Sequence, residues 1–188
     1  MDIDAGTLQS LLIQETINQC GHEERKGQLS MSWLSLPTEE ILKRVRNGCA
    51  QSDESKLLLY QGTHSEKGMR ERLDALCLSR HLPLYAPRVI SAFGGRLTGH
   101  TDGSIENTVI EIKTVPDGKI LREMASRGRV PFKVYSQVNA YMLWGEYRDA
   151  LVIYEARGDG ALWVTHVTPN KDLQKELDSK VRDVLRQI

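Results

Sequence analysis

Apolar positions change period along this chain, from helical spacing to alternation and back, and the changes divide it into elements. Leu8, Leu11, Leu12 and Ile17 recur at helical spacing and predict a first helix ending at Gly21. Residues from Gly21 to Ser35 are mostly polar and read as a loop. Thr38 is the expected cap of a short helix that runs to Val45 and stops near Gly48, and residues 51–55 form another loop. A longer helix is expected over residues 56–80, interrupted at Gly62, with Met69, Leu73, Leu76 and Cys77 on its apolar face. Pro83 and Pro87 close that region.

Three strand candidates follow, at 88–93, 96–103 and 108–114. Gly94-Gly95 joins the first two as a tight hairpin, and residues 104–107 join the next pair. Residues 116–130, rich in Gly, Arg and Lys, read as a loop, and 134–144 as a helix. Two more strands are expected at 150–155 and 161–167, joined by Gly158-Asp159-Gly160. Thr168-Pro169 opens a last helix with Pro at its first position, and Leu173, Leu177, Val181, Val184, Leu185 and Ile188 form its buried stripe. The order predicts an α/β (mixed α+β) fold, a central mixed sheet of about five strands flanked by helices, not a repeating βαβ array.

Composition narrows the setting. The chain has 188 residues, 40% hydrophobic, enough for a real core. Residues 1–55 carry no recognisable motif and are expected to form an N-terminal helical cap or a dimer surface; residues 56–188 are expected to form the core. Lys and Arg together equal Asp and Glu at 25 each, so any anionic partner is expected to meet a localised groove and not a uniformly basic surface. Cys20, Cys49 and Cys77 are scattered and form no Cys-x-x-Cys pair, which excludes a disulfide framework and a structural zinc site. The acidic start, Met1-Asp2-Ile3-Asp4, lacks the basic charge of a signal peptide, and no apolar run approaches membrane-span length. A cytoplasmic location with no membrane partner is expected.

The chemistry gathers at the third predicted strand, Thr108-Val109-Ile110-Glu111-Ile112-Lys113-Thr114. Side chains alternate on a strand, so Val109, Glu111 and Lys113 share one face. A carboxylate and an ammonium on an otherwise apolar strand are costly to bury unless they are paired or bind a metal. Asp102 on the neighbouring segment adds a second carboxylate. Two hard carboxylates suit Mg²⁺ or Mn²⁺, and with a lysine they suit phosphodiester hydrolysis. Taken alone, Glu-x-Lys is also the common solvent-exposed charge pair, Asp102-Gly103 ordinary turn chemistry, and Glu66 with Arg70 an ordinary i,i+4 ion pair.

Four stretches, in order, lift the functional reading. They are Gly62-Thr63-His64-Ser65-Glu66, Gly99-His100-Thr101-Asp102, Glu111-Ile112-Lys113 and Gln137-Val138-Asn139-Ala140-Tyr141. Together, over roughly residues 56–167, they resemble the PD-(D/E)XK nuclease superfamily, and within it the RecB-type exonuclease branch. The resemblance implies a restriction-endonuclease-like core and a catalytic set of Glu66, Asp102, Glu111, Lys113, Gln137 and Tyr141. It implies metal ligation by Asp102, Glu111 and the Ile112 carbonyl, with Glu66 holding a second ion or a water. A shifted helix register would put His64 in place of Glu66, and His100 is a further candidate at the edge of the site. Lys113 would steady the attacking hydroxide. The helix face shared by Gln137 and Tyr141 would meet DNA, with Gln137 orienting Lys113. No cysteine follows Cys77, so the iron–sulfur cluster of some relatives is not expected.

Lys119, Arg122, Arg127, Arg129 and Lys133 stand against Asp117 and Glu123, a local surplus of three positive charges suited to DNA phosphates. Tyr135, Tyr141 and Trp144 are candidate stacking partners for an unpaired strand. The expected activity is a Mg²⁺- or Mn²⁺-dependent deoxyribonuclease, an exonuclease on single-stranded or end-bearing DNA. It would serve DNA recombination or repair beside recombination or single-strand-annealing proteins, in the host cytoplasm if the source is a phage. Two alternatives stay open: a structure-specific, junction-resolvase-like endonuclease, and a non-catalytic DNA-binding module on the same fold.

Overall fold

The computed structural model describes residues 10, 13–14, 27–48, 52–83 and 86–188. The expected first helix, Cys20 and Cys49 lie essentially outside the described residues. The chain then runs β1 (Leu29–Ser30), a 3-10 turn (Met31–Trp33), α1 (Thr38–Asn47), α2 (Asp53–Arg80), β2 (Val89–Ala92), β3 (Leu97–His100), β4 (Gly103–Ile105) and β5 (Thr108–Val115). It continues through α3 (Gly118–Arg127), α4 (Phe132–Trp144), β6 (Asp149–Ala156), β7 (Leu162–Val167) and α5 (Lys171–Arg186). The fold is mixed α/β, as the hydrophobic pattern implies.

The strands form two mixed sheets. One has the order β4-β5-β6-β7, with β5 and β6 parallel and the flanking pairs antiparallel. The other has the order β1-β3-β2, with β1 parallel to β3. The β-branched run of β5 is buried on both faces, as a central strand requires. Ile110 and Ile112 pack with Ile153 against Met69, Leu73 and Cys77 of α2. Val109 and Val115, with Val152 and Tyr154 of β6, belong to the main core with Leu121 of α3, Val138 and Tyr141 of α4, and Leu177 and Val181 of α5. Leu29, Met31, Leu34, Ile41 and Val45 are buried in that same core. Among the described residues no helix is long and apolar enough to cross a membrane.

Several local expectations are corrected. Residues 116–130 are not a loop. Asp117 accepts hydrogen bonds from Lys119 N and Ile120 N, at 2.9 and 3.0 Å, and so caps α3, which ends at the left-handed Gly128. The candidate strand 96–103 is two strands, β3 pairing with β2 and β4 with β5, with Thr101 and Asp102 between them. The Thr101 N–H and hydroxyl both donate to Arg88 O, at 2.9 and 3.3 Å, and the hydroxyl accepts from Arg88 N at 3.0 Å. In the expected loop at 21–35, the described residues 27–35 hold β1 and the 3-10 turn, since Leu29 and Ser30 find a partner in β3.

Smaller shifts concern helix ends and faces. Gly62 does not interrupt α2, and Leu76 is exposed on it. Pro37 occupies the cap position before Thr38. The last helix starts after Asn170, whose side chain accepts from Asp172 N and Leu173 N, so Pro169 precedes the cap. Ile188 lies past its end and is exposed.

Candidate active site

The break at Thr101-Asp102 opens the cleft. β4 pairs with β5 only as far as Gly103 opposite Ile110. Beyond that point the Asp102 side chain takes the place of a ladder partner, and Ile112 N–H donates to its Oδ2 at 2.6 Å. This bond fixes one carboxylate between the two charged residues of β5. On that strand Glu111 and Lys113 share the face of Val109, as alternation predicts, and Lys113 Nζ is ion-paired with Glu111 Oε1.

Glu111 is 1% exposed, and its Oε2 is buried without a hydrogen-bond partner. A buried carboxylate oxygen left unsatisfied is costly and rare in native structures. Burial pushes the Glu111 carboxyl up to about 7; Lys113 opposes the shift, and Asp102 and Glu66 add to it.

α2 contributes Glu66. Burial first, then the neighbouring Asp102 carboxylate, raise its carboxyl to about 7, against the pull of Arg70. Arg70, one turn further along α2, is ion-paired with Glu66 and reaches Asp102 Oδ1 at 3.4 Å. Burial lowers the Lys113 pKa, but Glu111, Asp102 and Glu66 outweigh it, and the net direction is upward. Burial is the largest cause for the two carboxyls and opposes the shift of Lys113, while the neighbouring carboxylates raise all three. Glu66, Asp102 and Glu111 can carry three negative charges, and Arg70 and Lys113 supply two positive ones. The cleft is short of positive charge.

α4 forms the adjoining wall. Gln137 Nε2 donates to Tyr141 Oη at 2.6 Å, and Tyr141 Oη donates to His100 O at 2.8 Å. Burial and the Glu111 carboxylate push the Tyr141 phenol well above its ordinary value, which keeps it neutral and a donor. The chain of bonds holds the end of β3, two residues before Asp102. Gly99 makes room for it: a Cβ there would lie 2.7 Å from Tyr141 Cε1 and 2.6 Å from Met31 Sδ.

The structure therefore brings Glu66, Asp102, Glu111 and Lys113 together, with Ile112 between the last two and Gln137 and Tyr141 beside them. It turns the Gln137 amide to Tyr141 and not to Lys113, contrary to the expected orienting contact. His100 joins the site through its backbone carbonyl, and its side chain is exposed. His64 does not replace Glu66; it is exposed and stacks edge-on against Tyr60 at 4.3 Å. Lys119, Arg122 and Arg127 project from α3, with Arg129 and Lys133 just beyond it, all exposed. Arg122 lies 3.8 Å from Asp159, and Arg127 pairs with Glu123. Tyr135 is half-buried, and Trp144 packs edge-on with Phe93. In the sequence Arg70 reads as an i,i+4 partner of Glu66 and, with Lys67 and Arg72, as a basic residue adding to the groove. Its second contact, to Asp102, comes from the fold.

Chemically, the unsatisfied Glu111 oxygen and the charge deficit fit a hard cation. Among the described residues, however, no three His, Cys, Asp or Glu side chains stand as ready metal ligands. Arg70 lies on Glu66 and Asp102, Lys113 lies on Glu111, and Ile112 N–H holds Asp102 Oδ2.

No family model matches the chain, and no curated protein matches it. Solved structures do. An alkaline exonuclease (LHK-Exo) from Laribacter hongkongensis is similar over 93% of this chain and 91% of its own, at 15% identity and a TM-score of 0.66. LHK-Exo in complex with dAMP matches over 87% and 88%, at 16% identity and a TM-score of 0.65. A phage-related exonuclease from Haemophilus somnus 129PT matches over 89% and 94%, at 12% identity and a TM-score of 0.53. At these identities the likeness is one of fold, and it extends over nearly the whole of each chain.

Proposed function

We propose that this chain is a divalent-cation-dependent DNA nuclease, an exonuclease working from free ends or on single strands. The observation that carries the reading is the buried, partnerless Glu111 Oε2 in a cleft with Asp102, Glu66 and Lys113, within a fold shared with exonucleases. The four ordered motifs support the RecB-type branch. Asp102, Glu111 and the Ile112 carbonyl would hold a Mg²⁺ or Mn²⁺ ion, with Glu66 beside them. When bound, such an ion supplies Lewis-acid polarisation of a phosphate oxygen and a lowered pKa for water.

The chain's own groups do the rest. Lys113 stays protonated among carboxylates, so its ammonium orients the attacking water and offsets charge growing on the phosphate. Tyr141 and Gln137 hold the His100 carbonyl and with it the Asp102 segment. The exposed Lys119, Arg122, Arg127, Arg129 and Lys133 meet the strand's phosphates by screened charge attraction. A nucleoside monophosphate seated on the related LHK-Exo fits a substrate of this class. Recombination or repair in the cytoplasm is the setting this activity suits.

The test is digestion of end-labelled single-stranded, duplex and circular DNA with Mg²⁺, Mn²⁺ or EDTA, using the parent and Lys113→Ala. The reading expects cation-dependent loss of linear DNA, spared circles, and a loss of rate of about a hundredfold or more in Lys113→Ala. Cutting of covalently closed circles would point to an endonuclease. Undiminished cleavage by Lys113→Ala would show that the site is wrongly assigned, and a gel shift without cleavage would favour a binding module.

A further inference from the structure

Arg70 has no part in the mechanism above, yet it links two elements of the cleft. From α2 it is ion-paired with Glu66, one turn behind it, and the same Nη2 reaches Asp102 Oδ1 at 3.4 Å across the β3–β4 break. The Asp102 carboxylate raises the proton affinity of Glu66, so without a cation between them the two charges repel. A guanidinium suits this task, being permanently charged and able to serve two carboxylates. Its side chain is 34% exposed, so solvent reaches part of it. An ion held by Asp102 and Glu111 would share Asp102 with this guanidinium, and two cations on one carboxylate repel.

We infer that Arg70 is an internal counter-cation exchanged for the divalent ion: in the metal-free protein it holds Glu66 and Asp102 together, and it leaves Asp102 when the ion binds. The inference rests on the proposed reading of the cleft as a cation site. It accounts for the absence of ready ligand clusters among the described residues, because the carboxylates are gathered around a guanidinium. It also makes Arg70 a positioning residue whose removal strengthens cation binding, the opposite of what loss of a structural ion pair does.

The experiment is a calorimetric Mn²⁺ titration at pH 8, without DNA, of the parent, Arg70→Gln and Arg70→Lys. Arg70→Gln is expected to bind about fivefold tighter or more, and Arg70→Lys, which keeps the charge, to stay near the parent. Equal or weaker binding by a folded Arg70→Gln overturns the inference. Should that variant not fold, the parent decides. Its Arg70 guanidinium NMR signal, identified by its absence from Arg70→Lys, is expected to shift on saturation with Mg²⁺. An unmoved signal overturns the inference as well. If the parent binds no Mn²⁺, the cation-site reading falls and this inference with it; if the parent binds and Arg70→Gln gains nothing, only the role of Arg70 falls.

Discussion

Tyr141→Phe is a sharp perturbation, because it removes one atom and keeps the ring that fills the space beside Gly99. Tyr141 is 2% exposed, and its hydroxyl accepts from Gln137 Nε2 at 2.6 Å and donates to His100 O at 2.8 Å. Two hydrogen bonds are lost at once, each with a net worth of about 1 kcal/mol. The Gln137 amide, 6% exposed, is left as a buried donor with a desolvation penalty of about 1 kcal/mol or more. The expected loss is about 2–3 kcal/mol, a fall in Tm of about 4–12 °C for a chain of this length. Urea denaturation of the parent, Tyr141→Phe, Gln137→Leu and the double variant measures the loss and the coupling. The account expects the double variant to lose clearly less than the two single losses combined, since removing both partners leaves no orphaned donor. A loss below about 0.5 kcal/mol in Tyr141→Phe, or simple additivity, would refute the argument.

Two further outcomes follow from the same geometry. In EDTA, Glu66 and Glu111 carry folded-state pKa values near 7 against the ordinary 4.5, so the folded chain binds more protons between those limits. Their contribution is full below pH 4.5 and is lost as pH rises through 7, at most about 3 kcal/mol for the fully buried Glu111. Urea midpoints measured from pH 5 to 8 should therefore fall with pH in EDTA and fall less with Mg²⁺ present; a flat EDTA profile contradicts the charge deficit. Gly99→Ala places a methyl in the way of Met31 and Tyr141 and should cost about 1–3 kcal/mol. Unchanged thermal denaturation in that variant would mean that the close approach is relieved without strain.

The parts of this molecule written in local pattern were legible from residues alone. The alternation in Thr108–Val115 places Glu111 and Lys113 on one face, and the four-residue spacing of Gln137 and Tyr141 places them together on α4. What depends on a distant partner was not legible. At Thr101 the β2–β3 ladder ends as Arg88 N bonds the Thr101 hydroxyl, and the next residue, Asp102, accepts from Ile112 N. β1 is two residues long and is a strand only because β3 lies beside it. α3 buries little besides Leu121 and Gly118, so its apolar stripe is too thin to read, and its start rests on the Asp117 cap. Arg70 reads as a surface partner of Glu66 until Asp102, 32 residues away, is folded against it.

The central claim is that the carboxylates of Asp102 and Glu111 bind one hard cation. Anomalous diffraction from crystals of the DNA-free protein soaked in Mn²⁺ addresses it directly. The account predicts a single strong peak at about 2 Å from oxygens of both residues, with Glu111 Oε2 among its ligands. A peak elsewhere in the molecule, or none at saturating Mn²⁺, would contradict it.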